Sequence, residues 1–297
     1  MIAIFPEFTP IADVTLGEFQ QACAGFPPCS EFNHLSLRCY TPGATVSRHD
    51  QALILRGFEK TSSLTVLGYA LEAEPLLALV DYAESVGCGR KLNCVPAFSL
   101  HPDVRTAFAV TERRERYDYV LALEAMLNPE SSQLHRKHER AASYRETHPG
   151  VTFSTIVMSE IDSTDAFLEI FLAWRQSKNG NAEALAEEEL VFRRCLEFAH
   201  RYRLVAVVSS DETGAMLGFT MNELLPDGFY RGHFGFTLPN NLGLADLLEL
   251  ETAKVMSAQG CTRMNFQEDL GIEGLRNFKL SWKPQYLLHK YDLQPYC

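Results

Sequence analysis

At 297 residues, 46% of them hydrophobic, the chain is long enough for two domains of ordinary size, each with its own core. A formal net charge of −11 excludes a protein whose whole surface grips nucleic acid, while leaving room for a local basic patch. No apolar run approaches the roughly 20 residues needed to span a bilayer, and Met1 to Pro6 carry neither a basic nor a long apolar region, so a cytoplasmic location is expected.

Eight cysteines (Cys23, Cys29, Cys39, Cys88, Cys94, Cys195, Cys261 and Cys297) are scattered, with no CxxC pair and no Cys/His cluster of zinc-ligand spacing. That pattern fits buried thiols in a reducing compartment and predicts no metal site.

In chain order, Thr15 opens a short amphipathic helix to about Phe26, and Ser30 opens another through Cys39. Strands are expected at Ala52–Leu55 and Leu64–Leu67, then a helix over Glu74–Val86 with Leu76, Leu77, Val80 and Ala83 at helical spacing, stopped by Gly87-Cys88-Gly89. Asn93–Pro96, Ala107–Val110 and Tyr117–Leu121 are further strand candidates. Pro129 begins a basic helix that His148-Pro149-Gly150 ends. The expected division is an N-terminal domain over 1–128, a connecting helix over 129–150 and a C-terminal domain over 151–297.

The second half starts with a strand at Val151–Val157 and helices at Ser163–Arg175 and Ala184–Tyr202. The nearly all-apolar Leu204–Val208 should lie inside a sheet. A turn at Asp211–Gly214 leads into a hairpin strand, with Asn222 and Glu223 expected to close that hairpin. A strand at Phe229–Phe236, a helix from about Gly243 to Gln259, a short strand, a last helix and a strand over Tyr286–Tyr291 complete the chain.

The most distinctive stretch is Asn265 to Pro284. Asn265 and Gln267 alternate with Met264 and Phe266, so one strand face is expected to be buried while the other presents amides. Asp269 can cap a helix whose Ile272, Leu275 and Phe278 face inward, with Arg276 and Lys279 together on another side. The order Glu-Asp-Leu-Gly-Ile-Glu-Gly-Leu-Arg (268–276), followed by Lys279-Leu280-Ser281 and Pro284, resembles the C-terminal signature of the bacterial family related to the phosphatidylglycerol lysyltransferase C-terminal domain, a tandem-GNAT group. Cys29–Asn33 and His135–Arg140 are weaker matches to the same family. The resemblance implies an α/β (α+β) fold of two GNAT-like domains in tandem, each a mixed, mostly antiparallel sheet flanked by helices. The element order of the second half agrees with it; no sequence repeat is visible.

GNAT folds bind their donor where two neighbouring strands splay, its phosphates held by amides at the start of the following helix. The matching place here is Leu238 to Ala245, with Asn240, Asn241, Gly243 and Leu244 as donor-binding residues; Asn240 stands where acetyl-CoA binders carry Gln or Arg. An ordinary helix entry, burying Leu244, Leu247, Leu248 and Val255, is the plainer alternative. Acyl transfer needs a base, for which Glu268 is the candidate, either in that role or as anchor for a substrate amine, with a structural role also open. His233 shares a strand face with Arg231 by alternation, and is a second catalytic candidate or a satisfied structural histidine. Arg276 and Lys279, with Lys137 and Arg140 from the connecting helix, can hold phosphates or a carboxylate or can be solvated helix faces. Asn222, Arg231, Asn265 and Gln267 are the remaining substrate-binding candidates.

There is no HExxH pair and no GxSxG elbow, so metal and serine hydrolysis are poorly supported. The resemblance implies a transferase moving an aminoacyl group from aminoacyl-tRNA onto an amine or hydroxyl of a lipid headgroup or small molecule. The alternatives are an acyl-CoA-dependent N-acyltransferase and a binding protein that kept the fold and lost turnover.

Overall fold

The apolar runs near residues 54 and 66 form strands as expected, and a third strand near residue 46 joins them. In the computed structural model, which describes residues 1–59, 63–177 and 182–296, β1 (Ala3–Ile4), β2 (Thr9–Pro10), β3 (Thr45–His49), β4 (Ala52–Arg56) and β5 (Leu64–Leu67) form one sheet in the order β1-β3-β4-β5, with β2 also on β3. Val46 stands opposite Leu55, and Ile54 opposite Val66, so the register sets apolar side chains side by side. Helices α1 (Leu16–Ala22), α2 (His34–Tyr40) and α3 (Ala73–Ser85) accompany this sheet. The buried face of α3, Leu76, Leu79, Val80 and Ala83, packs with Ile54, Val66, Leu92 and Leu293. Beyond it come β6 (Leu92–Pro96), α4 (Val104–Ala107) and β7 (Phe108–Glu112).

The chain then builds a seven-stranded sheet from β8 (Asp118–Ala122), β9 (Thr152–Val157), β10 (Leu204–Ser210), β11 (Met216–Leu224), β12 (Phe229–Thr237), β13 (Arg263–Asn265) and β14 (Tyr286–Leu288), in the order β14-β8-β13-β12-β11-β10-β9. β10 lies between β9 and β11, which is why nearly every residue in it is apolar. Helices α5 (Leu123–Leu127), α6 (His135–Thr147), α7 (Asp165–Gln176), α8 (Ala182–Phe198), α9 (Leu244–Ala258) and α10 (Glu273–Ser281) belong to this half. Phe167, Phe171 and Trp174 of α7 and Phe192 of α8 pack against Phe219, Phe234 and Phe236, forming an aromatic core on one face of the sheet. The last strand, β15 (Lys290–Pro295), is the centre of a three-stranded sheet, β6-β15-β7.

Two compact units result. One comprises Met1–Asp118, Glu268–Glu273 and Leu287–Cys297; the other comprises Tyr119–Gln267 and Gly274–Tyr286. The basic helix expected to connect two domains, α6, lies inside the second unit. Among the described residues no helix is long and apolar enough to cross a membrane.

Several local expectations change. The helix expected from Ser30 is a short 3₁₀ turn at Ser30–Phe32, because Asn33 leaves the helical region and its side-chain oxygen accepts the Ser36 amide at 2.8 Å, restarting the chain as α2. The basic helix begins at His135 and not Pro129: Asn128 Oδ1 accepts the Glu130 amide at 3.0 Å and holds a turn there. Asn222 and Glu223 do not close the hairpin. They are buried within β11, and the turn follows at Asp227 and Gly228, both with positive φ.

The expected strand over Tyr286–Tyr291 is broken at His289 into β14 and β15, which belong to different sheets. At the C-terminal signature, Leu270 and Gly271 both take left-handed φ, so α10 starts only at Glu273 and Ile272 is exposed. Asp269 closes an Asx turn onto the Gly271 amide at 2.9 Å and pairs with Arg114 at 3.1 Å.

Candidate functional site

In the second unit, β12 and β13 run parallel and pair at Phe229/Arg263, Tyr230/Met264 and Arg231/Asn265. There the pairing stops: β13 ends at Asn265, whereas β12 runs on to Thr237. Gln267 takes a left-handed φ, so the expected alternation ends before it. Its side chain donates to the Gly232 carbonyl at 2.6 Å and bridges the start of the opening. Asn265 is fully buried, and its Oδ1 accepts the Gln267 amide at 2.7 Å. Beyond Gly232, no described strand pairs with this edge of β12.

A β-bulge falls at the same point. Met221 faces Phe234 and Asn222 faces Gly232, which leaves His233 as the additional residue. Bulges re-aim side chains, and this one divides the polar residues between the two faces of the sheet. Glu223 stands opposite Arg231, and His233 Nε2 lies 3.0 Å from Glu223 Oε2 with both side chains buried. Burial lowers the His233 pKa despite Glu223, and Arg231 lowers it further, so the imidazole is neutral near pH 7.

The other face, turned to α9, holds Thr220, Asn222, Tyr230 and the bare surface of Gly235. Asn222 Nδ2 donates to Thr220 Oγ1 at 3.0 Å, and the Thr220 and Thr252 hydroxyls are 2.6 Å apart. Among the described residues Asn222 Oδ1 has no hydrogen-bond partner, and it would lie 3.7 Å from a Cβ at Gly232. Glu249 of α9, only 7% exposed, reaches the same face, with its Oε1 3.6 Å from where a Gly235 Cβ would stand.

The start of α9 is packed by α6. Gly243 caps the helix with φ 93°, and a Cβ there would meet the Arg140 carbonyl oxygen at 2.7 Å and Tyr144 Cβ at 3.2 Å. Tyr144 Oη donates to Asn241 Oδ1 at 3.0 Å, and Asn240 also has a positive φ. Leu244 is buried under the same contact. The glycine is thus required by close helix packing whatever binds at the helix terminus. Gly243→Ala should lose about 2–4 kcal/mol of stability from left-handed strain plus overpacking. Urea unfolding checks this; an unchanged midpoint would return the glycine to a purely ligand-related role.

The cations of the basic helix are largely committed. Lys137 and Arg140 each pair with Asp246 at 2.7 Å, and Arg145 pairs with Glu251 at 2.7 Å. On α10, Lys279 is buried and not on an exposed side: its Nζ donates to the Phe266 carbonyl at 2.6 Å and lies over the Phe266 ring. A lysine stem is long enough to cross a helix surface and satisfy the carbonyl left at a strand end, an option that periodicity does not reveal. Arg276 is half-buried on the same helix.

Glu268 belongs to the first unit. Its carboxylate lies 3.6 Å from Arg116, among Lys290, Glu31 and Ser30. Burial alone would raise its pKa, but Lys290, a backbone amide and Arg116 hold it below the ordinary value. Lys290, wholly buried, lies 2.6 Å from Glu31 and 3.1 Å from Asp118. Burial, reinforced by Asp118 and Glu268 and opposed by Lys290, pushes Glu31 up to about 7. Among the described residues no three His, Cys, Asp or Glu side chains are grouped to hold a metal ion.

The family model described as phosphatidylglycerol lysyltransferase, C-terminal, matches residues 92–294. The chain belongs to this family. The match runs from β6 through β15 and so includes the β12/β13 opening, both faces of the bulge and the Glu268 segment. Comparison with curated proteins found no match.

Solved structures share the fold at low identity. A conserved protein of unknown function from Bacteroides thetaiotaomicron aligns over 100% of both chains at 20% identity with a TM-score of 0.75. The C-terminal domain of a putative lysylphosphatidylglycerol synthetase from Agrobacterium fabrum covers 93% of this chain and 90% of its own, at 14% identity and a TM-score of 0.64. L-PGS from Bacillus licheniformis covers 99% and 93%, at 15% identity and a TM-score of 0.61.

Sequence reasoning missed Glu249, Tyr230 and the Lys290 cluster. Glu249 sits on the apolar face of α9, where helical spacing assigns core, and the signal available was that anomaly itself: an acid at a position otherwise taken by leucines.

Proposed function

We propose that the chain is a GNAT-type aminoacyltransferase acting in the cytoplasm, taking an aminoacyl ester of tRNA as donor and an amine or hydroxyl of a lipid headgroup or small molecule as acceptor. The observation that carries this reading is the opening beyond Arg231 and Asn265, where β12 leaves its parallel partner inside a family-matched domain and presents an unpaired strand edge. Backbone amides on such an edge can accept the carbonyl of an activated acyl group and stabilise the oxyanion that forms on attack. Buried polar groups on both sides of the bulge, Asn222 and Glu249 on one and Glu223, Arg231 and His233 on the other, support a site built for a polar ligand.

Asn240, Asn241, Gly243 and Leu244 remain proposed donor contacts, as does Arg276, whereas Lys279 is committed to the Phe266 carbonyl. Asn222, Arg231, Asn265, Gln267 and Arg140 remain proposed substrate contacts, whereas Lys137 is committed to Asp246. His233 is a proposed catalytic group of the second unit; Glu268, in the first, is a carboxylate kept below its ordinary pKa and so a weak base near neutrality.

The test is to incubate the purified protein with a labelled aminoacyl-tRNA pool and a mixed lipid and amine acceptor set, and to read products by mass spectrometry. Transfer from aminoacyl-tRNA is expected, with donor affinity falling steeply as salt rises and falling again in Arg276→Ala. Salt-insensitive binding removes tRNA as donor. A thermal shift with acetyl-CoA and none with aminoacyl-tRNA favours the acyl-CoA-dependent alternative. Binding without any product favours the non-catalytic one.

A further inference from the structure

On the α9 side of the sheet, where Asn222 Oδ1 has no hydrogen-bond partner among the described residues, two further buried polar atoms also lack one, Glu249 Oε2 and Tyr230 Oη. They are neighbours, since the Glu249 carboxylate is among the groups that raise the Tyr230 phenol. Tyr230 is wholly buried, and it precedes the opening by two residues. Glu249 Oε1 reaches the strand at Gly235, an exposed position with no side chain to cover the carboxylate. Leaving a buried carboxylate oxygen unbonded is costly, and glutamine or leucine would serve packing better at this place on α9. Such a group persists at the expense of stability, which is the mark of a functional site.

The charges around it restrict the ligand. Lys137 and Asp246 pair at 2.7 Å, and Lys279 is bonded to the Phe266 carbonyl. With Glu249 ionised, the buried set Lys137, Lys279, Asp246 and Glu249 is neutral, while Arg140, which also pairs with Asp246, is mostly solvated. An added ion would break that balance, whereas an uncharged group that donates a hydrogen bond would not.

We propose, building on the transferase reading above, that Glu249 is the proton acceptor for the attacking nucleophile, with Tyr230 completing the polar end of the acceptor subsite. The acceptor O–H, or N–H of a neutral amine, donates to the Glu249 carboxylate. As its oxygen or nitrogen bonds the acyl carbon, the proton passes to Glu249. When the C–O bond to the tRNA ribose breaks, that proton leaves with the ribose oxygen, so no oxidant, reductant or metal is consumed.

Burial, with Asp246 adding and Lys137 and Lys279 opposing, pushes Glu249 up to about 7, where a base is half-available at neutral pH. The groups facing it are Lys137 from α6, Asp246 from α9, Lys279 from α10, and Thr220 and Tyr230 from the sheet.

The experiment uses the full chain with aminoacyl-tRNA and the acceptor set above, comparing parent, Glu249→Gln, Glu249→Asp and Tyr230→Phe. Glu249→Gln should lose 10²–10⁴-fold in kcat with donor affinity unchanged, and the limb of the pH–rate profile near 7 should disappear. Glu249→Asp should recover part of the rate. Folding is checked by melting temperature at pH 8, where Glu249→Gln should not fall below the parent, because a carboxyl raised in the folded state contributes stability that is lost as pH rises through about 7. A parent that transfers while Glu249→Gln keeps its rate within threefold and its pH limb overturns the proposal and leaves Glu249 as a carboxyl bridged by buried water. A parent that transfers from no donor overturns the transferase reading and this assignment with it.

Discussion

Lys290→Met should be among the most damaging single substitutions in the first unit, with a loss of about 3–5 kcal/mol. Lys290 is wholly buried, and its ammonium faces Glu31 at 2.6 Å and Asp118 at 3.1 Å, with Glu268 close enough to perturb it. Burial would discharge the lysine, but the surrounding acids hold its proton more firmly than usual. Asp118 has other support, since the Ser30 amide donates to it at 2.9 Å and the Ser30 hydroxyl also bonds it. Among the described residues Glu31 has no side-chain partner besides the lysine. Methionine would fill most of the space and leave the buried acids without their central cation.

The sign of the pH dependence follows from Glu31, already raised to about 7. An acid with a raised folded-state pKa contributes stability that is fully present below its ordinary value near 4.5 and is lost as pH climbs through the raised one. Removing the lysine strengthens that trend, so Lys290→Met should be worse at pH 8 than at pH 5. Glu31→Gln on the same background should recover part of the loss at pH 8. Urea unfolding of the three proteins at both pH values checks this, and a Lys290→Met loss below about 1 kcal/mol at pH 8 would show that the cluster is not held by its lysine.

What the sequence made legible follows the strength of periodic signals. β4, β5, β6, β10 and α3 carry strong apolar patterns and fall close to where those patterns put them, because a buried register tolerates no slip. Three of the places where reading and structure part are ones where a polar side chain bonds the backbone locally: Asn33 restarting a helix, Asn128 delaying one, Asp269 making a turn before α10.

The candidate site is legible in a different sense. The Asn265–Pro284 stretch drew attention to Gln267 and Lys279, and in the structure one donates to the Gly232 carbonyl and the other to that of Phe266. What spacing could not give is the bulge at His233, since one additional residue changes which face each neighbour serves. Nor could it reveal that Glu249 on α9 meets Gly235 on β12, a contact made only by tertiary packing.

Lys137→Met should lose about 3–5 kcal/mol in the second unit, and the manner of the loss separates two roles for this lysine. Lys137 is buried, bonded to Asp246 at 2.7 Å, and positioned 4.8 Å above the Phe278 ring and 4.6 Å above that of Trp282. One side chain therefore ties α6 to α9 by an ion pair and to α10 by cation–π contact. Burial lowers its pKa, and Asp246 only partly restores it, so the charge is kept by its partner and is not offered to solvent.

Methionine retains the stem and makes sulfur–aromatic contacts with the same rings, but it leaves Asp246 with Arg140 alone. Asp246→Asn on that background should therefore recover much of the loss, giving a coupling energy of about 2–3 kcal/mol in a double-mutant cycle. If Lys137 serves packing, donor affinity in the folded Lys137→Met protein should stay within about threefold of the parent at saturating stability, in low salt and at low temperature. A variant that keeps its unfolding midpoint yet loses donor affinity tenfold would reverse the assignment, making the lysine a ligand contact and Asp246 merely the group that holds it ready.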